Sequence, residues 1–136
     1  MDTFYEEDIL GEGFQRTTLS LRDDYEGSAV ATLVRRLSDT GNGRSVLYIH
    51  GFNDYFFQRE MACRLNERSF HFYALDLRKY GRSWLSHQKF NDIRDIRVYF
   101  EEITLALQMI REEGSRTTVL LGHSTGGLIV TLYAKE

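Results

Sequence analysis

Eleven residues constrain this chain more than any others: Thr117-Thr118-Val119-Leu120-Leu121-Gly122-His123-Ser124-Thr125-Gly126-Gly127. Residues 117–121 form a short apolar run rich in β-branched side chains, the composition of a buried strand. Residues 128–134, Leu-Ile-Val-Thr-Leu-Tyr-Ala, are apolar on nearly every side and read as a buried helix. Between them stands Gly122-His123-Ser124-Thr125-Gly126, the spacing G-x-S-x-G. A strand, a tight turn with serine at its tip and a helix are the setting in which such a serine is held in strained backbone geometry. A side chain two residues either way would meet the opposing backbone, so both flanking positions call for glycine.

The remaining strands and helices follow from periodicity. Residues 15–21 and 28–37 have strand composition, and the short polar link between them predicts an antiparallel pair. Residues 1–13 are polar and acidic and read as an irregular lead-in. Residues 45–51 and 70–75 are nearly continuous apolar runs, as in strands covered on both faces. Phe57, Met61 and Leu65 space a helix between them, after Asn53 and with Asp54 as its expected cap. Ile93, Ile96, Phe100, Ile103, Leu107 and Ile110 mark an amphipathic helix of about five turns, closed by Gly114. Strands alternating with helices predict an α/β fold. Its sheet is expected to be mainly parallel, of about five strands, with an antiparallel N-terminal pair and flanking helices. In such sheets ligands gather beyond the carboxyl ends of the strands, where His50-Gly51-Phe52, Asp76 and Ser124 all fall.

Composition narrows the class of protein. With 136 residues a single domain over 1–136 is expected. A net charge of -3, with scattered arginines and lysines, argues against a nucleic-acid partner. Cys63 is the one cysteine, so neither an internal disulfide nor a cysteine-based zinc site is available. It reads as a buried packing thiol. No run approaches 18 apolar residues, so no transmembrane segment is expected, and the default location is cytoplasmic.

Three motifs in this order, each at a strand end, resemble the α/β-hydrolase superfamily. They are His50-Gly51-Phe52, Asp76-Leu77-Arg78-Lys79-Tyr80-Gly81-Arg82-Ser83 and Gly122-His123-Ser124-Thr125-Gly126-Gly127. The resemblance is greatest to the branch of serine aminopeptidases, lysophospholipases and monoacylglycerol lipases, and it covers about the first half of such a protein. It implies Ser124 as nucleophile, with the backbone N–H groups of Phe52 and Thr125 as the oxyanion hole. It also implies a small-molecule or lipid-like ester substrate, no cofactor and no metal. The triad order of that fold is serine, acid, histidine, but the twelve residues after Ser124 contain no histidine. Glu136 does not suit the acid, which follows a later strand in the family. Acid, histidine and lid regions are therefore expected to be absent and the chain itself inactive.

Other residues take plainer roles. His50 is expected to order its loop, His71 to be structural or exposed, and His123 to point away from Ser124, while the context of His87 singles out no role. Asp76 is expected to order the turn at its strand end. Trp84 and Tyr80 either line a pocket or cover the sheet end. A non-catalytic reading is the alternative: a short α/β interaction module with a vestigial turn at Ser124. Unpaired, residues 117–121 are expected to drive dimerisation or swapping.

Overall fold

The computed structural model describes residues 4–52 and 54–135. Residues 1–3 of the lead-in, Asn53, expected just before the helix over 57–65, and Glu136, set aside as the acid, lie outside them. The elements run β1 (Glu6–Glu7), β2 (Gln15–Ser20), β3 (Val30–Arg36), β4 (Arg44–Ile49), α1 (Arg59–Glu67), β5 (His71–Asp76), α2 (Phe100–Glu112), β6 (Thr117–Gly122) and α3 (Thr125–Lys135). Short 3₁₀ turns lie at Gly81–Ser83 and Ile96–Tyr99.

Among the described residues the strands form one six-stranded sheet in the order β1-β2-β3-β5-β4-β6. β2 and β3 make the expected antiparallel pair, with Thr17 opposite Leu33. β3 joins β5 antiparallel, and β4 lies parallel between β5 and β6. The sheet is thus mixed, parallel in the half that carries the strand-end motifs. Strand alternation divides the core. Leu33, Leu47, Ile49, Tyr73 and Leu75 face α2 and α3, where they meet Ile103, Ala106, Ile110 and Ile129. Val34, Val46, Tyr48, Phe72 and Ala74 face the other way, against Phe14, Phe56 and Ala62. A fully buried isoleucine or phenylalanine at such a position contributes roughly 1.5–3 kcal/mol.

Further expectations change. The strand over 117–121 and the helix over 128–134, read as buried, leave Val119, Leu121 and Leu128 47%, 38% and 54% exposed, because β6 is the edge of the described sheet and α3 buries only Gly126 and Ile129. The lead-in carries β1, whose Glu6 pairs with Arg16 of β2. The stripe from Ile93 does not run as one helix. Asp95 takes an extended φ of -146°, and its side chain accepts the Arg97 N–H, so the chain restarts there as a 3₁₀ turn before α2. Ile93 still packs on the core from the preceding loop. Asp54 does not cap α1, which begins only at Arg59 after Gln58; its carboxylate accepts the adjacent Tyr55 N–H instead. Cys63 is half-buried rather than buried, at the rim of an open cleft of about 500 Å³ that also touches Ser38, Thr40 and Asn66.

Candidate active site

Ser124 stands between the end of β6 and the first residue of α3, with φ at +56°. A non-glycine residue in that region is strained, and the neighbouring glycines show what holds it there. A Cβ on Gly122 would lie 2.4 Å from the Gly126 carbonyl oxygen, and one on Gly126 would lie 2.2 Å from that of Ile49. The helix start therefore rests directly on the backbone of β4 and of its own strand. Hydrogen bonds close the turn: Gly126 N–H donates to His123 O and Gly127 N–H to Ser124 O, both at 2.9 Å. His123 N–H donates to Ile49 O at 3.1 Å, tying the turn to β4.

The loop after β4 comes up against this turn. A Cβ on Gly51 would sit 3.2 Å from the Ser124 Cβ and 3.2 Å from the His123 carbonyl oxygen. Gly51, buried between them, allows that approach, and Phe52 follows with 65% of its surface exposed. Thr125 opens α3, so its N–H belongs to a first turn whose amides have no intrahelical acceptor. That end of the helix also carries its positive partial charge. Ser124 itself is exposed. The three residues singled out from the sequence, Ser124, Phe52 and Thr125, thus share one strand-end region.

His50 orders this loop. Leu77 N–H donates to His50 Nε2 at 3.0 Å, so that nitrogen carries no proton. The proton of the neutral ring then sits on Nδ1 and is donated to Gly51 O at 2.8 Å. Burial holds the imidazole below its ordinary pKa, against the opposing pull of the Gly51 carbonyl and of Asp76. The ring also packs 4.6 Å from that of Tyr80, which is buried. His71 accepts the Ser38 N–H and His87 pairs with Ser28 O. His123 is exposed, and among the described residues no histidine is hydrogen-bonded to Ser124.

Asp76 does order its turn, and more besides. Its Oδ1 accepts Phe56 N–H at 2.8 Å, and its Oδ2 accepts Arg82 N–H and the Arg82 guanidinium, both at 2.9 Å. Arg82 reaches on to Asp8, a contact across 74 residues that no local pattern signals. Trp84 stacks on Phe90 with centroids 4.6 Å apart and takes no part in this region, whereas Tyr80 does. Among the described residues no group of three His, Cys, Asp or Glu is placed to hold a metal ion. None of the described helices is long and apolar enough to cross a membrane.

This architecture is that of the α/β-hydrolases. A carboxyl esterase from Bacillus coagulans matches with a TM-score of 0.72 at 20% identity, over 91% of this chain and 40% of that one. A soluble variant of monoglyceride lipase from Saccharomyces cerevisiae matches at 0.65 and 21% identity, over 89% and 38%. The thioesterase domain from the curacin biosynthetic pathway matches at 0.65 and 24%, over 88% and 39%. The chain thus spans about 40% of the length of these three structures. Residues 42–136 match the family model described as "Serine aminopeptidase, S33", and the chain belongs to that hydrolase family. A comparison with curated protein sequences finds no match.

Proposed function

We propose that this chain supplies the nucleophile and the oxyanion hole of a cytoplasmic serine hydrolase that acts on an ester through an acyl-enzyme. The observation that carries the reading is Ser124 at positive φ on the turn between β6 and α3, with Gly51 packed against it. The Ser124 oxygen attacks the ester carbonyl, and its proton passes to a base. The carbonyl oxygen, now negative, takes hydrogen bonds from the Phe52 and Thr125 N–H groups. Collapse expels the alcohol and leaves Ser124 acylated. Each donor of this kind is worth about 3 kcal/mol in the transition state. Monoglyceride lipase and carboxyl esterase among the similar structures favour a lipid-like monoester.

Among the described residues no base is placed against Ser124. His50 is committed to Leu77 and Gly51, and no other histidine reaches Ser124 among the described residues. The 136-residue chain is therefore expected to show no appreciable turnover of p-nitrophenyl butyrate. Added imidazole, which stands in for the base, is expected to raise turnover at least tenfold above that of Ser124→Ala. Rapid turnover without imidazole, abolished by Ser124→Ala, would contradict the missing base. No difference between Ser124 and Ser124→Ala at any imidazole concentration would favour the non-catalytic reading.

The sheet edges bear on partners. β1 is two glutamates long, whereas β6 is uncharged and presents Val119 and Leu121, 47% and 38% exposed, at the other edge. Beside Leu121 an open groove of about 720 Å³ runs along Phe57, Met61 and Leu65. A chain of these 136 residues is expected to self-associate through β6. Val119→Lys, at an exposed site, is expected to shift it to monomer in sedimentation velocity. An unsubstituted chain that stays monomeric at all concentrations would count against this.

A further inference from the structure

We propose that Asp8, acting through Arg82, is a positioning residue for the loop that carries the Phe52 amide; this rests on the reading of that amide as an oxyanion donor. Asp8 lies in the segment before β2 yet is only 2% exposed. It is built in: its N–H donates to Phe14 O at 3.0 Å, Gly11 N–H donates to its carbonyl, and Leu10 N–H donates to its Oδ2 at 3.2 Å. Burial alone would raise its pKa, but the Arg82 guanidinium, the Leu10 amide and Arg16 outweigh burial and hold the carboxyl below the usual range.

Arg82 grips Asp8 with two parallel bonds, Nε to Oδ1 at 2.7 Å and Nη2 to Oδ2 at 2.9 Å. That fork fixes the plane of the guanidinium. The remaining nitrogen, Nη1, is thereby aimed at Phe56 O at 2.8 Å and Asp76 Oδ2 at 2.9 Å. Phe56 N–H is held by the other Asp76 oxygen, so both main-chain groups of this fully buried residue sit in one clamp. The loop is anchored at its near end by His50 and at its far end by Phe56, and Phe52 lies between. Gly81 presses on the same stretch: a Cβ there would come within 2.5 Å of Tyr55 Cβ. Without the Asp8 carboxylate the guanidinium loses its fork and keeps only the Nη1 bonds to Asp76 Oδ2 and Phe56 O, about which its plane can turn. The loop then gains freedom at one end, and oxyanion donors lose effect when their aim loosens by more than about 0.5 Å.

The test separates a reaction that builds an oxyanion from one that does not, on the same residue. In a Cys63→Ser background, Ser124→Cys places a thiol at the turn between β6 and α3. Its thiolate attacks the carbonyl of p-nitrophenyl acetate. An S–C bond forms, the oxyanion builds and collapses, and p-nitrophenolate leaves with the C–O electron pair. With iodoacetamide the same thiolate displaces iodide, and no charge develops on oxygen. The ratio of the two rates, divided by that of N-acetylcysteine amide, reads the donors and cancels thiol reactivity.

Asp8→Asn, which keeps the volume and an acceptor for Leu10, is expected to lower this ratio about tenfold, part of the 10²–10³ that follows loss of a whole donor. Alkylation is expected to stay within twofold, and hydrogen exchange at the Phe56 amide to rise while amides of β4 and β5 keep their protection. Asp8→Glu, which retains the carboxylate, is expected to hold the ratio within threefold. Should Asp8→Asn lose the protection of β4 and β5, Arg82→Lys carries the same expectation, since lysine keeps the charge without the fork. An unchanged ratio, or both rates falling together, overturns the positioning role. A ratio no higher than that of the free thiol before Asp8 is altered overturns the oxyanion hole itself.

Discussion

Arg78→Met is expected to destabilise the fold by about 3–5 kcal/mol at neutral pH, the range for stranding a buried charge. Glu102, in the first turn of α2, is fully buried. Its carboxylate takes the Arg78 backbone N–H at 2.8 Å, Nε at 3.0 Å and Nη2 at 2.7 Å. Methionine fills the space of the arginine stem and supplies none of the side-chain donors. Burial pushes the Glu102 carboxyl above its ordinary pKa, and the Arg78 guanidinium pulls it back. Removing Arg78 leaves burial less opposed, so the carboxyl rises further. A carboxyl raised in the folded state favours folding where it is protonated, and that advantage is lost as pH climbs above the unfolded value near 4.5. The loss in the variant is therefore expected to be larger at pH 7 than at pH 4 in urea unfolding. A loss below about 1 kcal/mol, or one independent of pH, would count against the pair as described. Arg78 follows Leu77, whose N–H holds His50, so the same substitution is expected to loosen the loop at Gly51.

Two adjacent glycines give the second large contrast. Gly126→Ala is expected to lose about 3 kcal/mol or more, because its Cβ would enter the Ile49 and His50 carbonyl oxygens at 2.2 and 2.5 Å. Both obstacles are backbone at the end of a central strand, so the start of α3 has to lift and carry Ser124 with it. Gly127→Ala meets the Gly122 carbonyl, its oxygen at 3.7 Å and its carbon at 4.0 Å, ordinary contact. Within α3 it is expected to be neutral or to stabilise by up to about 1 kcal/mol through helix propensity. Equal effects of the two substitutions in chemical unfolding would contradict the close approach of α3 to β4.

The turn at Ser124 was legible in the sequence because all of its parts are local: an apolar run, five residues of fixed spacing and an apolar helix. The strand ends at His50 and Asp76 were legible for the same reason. The antiparallel join of β3 to β5 was not, since pairing of non-consecutive strands leaves no mark on either segment. The restart of the helix at Asp95 was hidden because the apolar spacing runs on through a cap that resets the backbone. Asp8 looked like one acidic residue among several in residues 2–8, and only its burial beside Arg82 distinguishes it. Asp54 shows the converse: a good capping residue whose side chain is taken by its own neighbour.

The most direct measurement of Ser124 as a positioned nucleophile is its modification by an alkyl fluorophosphonate, followed by intact mass and peptide mapping. Slow phosphonylation is expected from the 136-residue chain alone. Added imidazole is expected to accelerate it at least tenfold, at Ser124 and no other serine, with none in Ser124→Ala. Modification spread over several serines, or none at Ser124 with imidazole present, would contradict it.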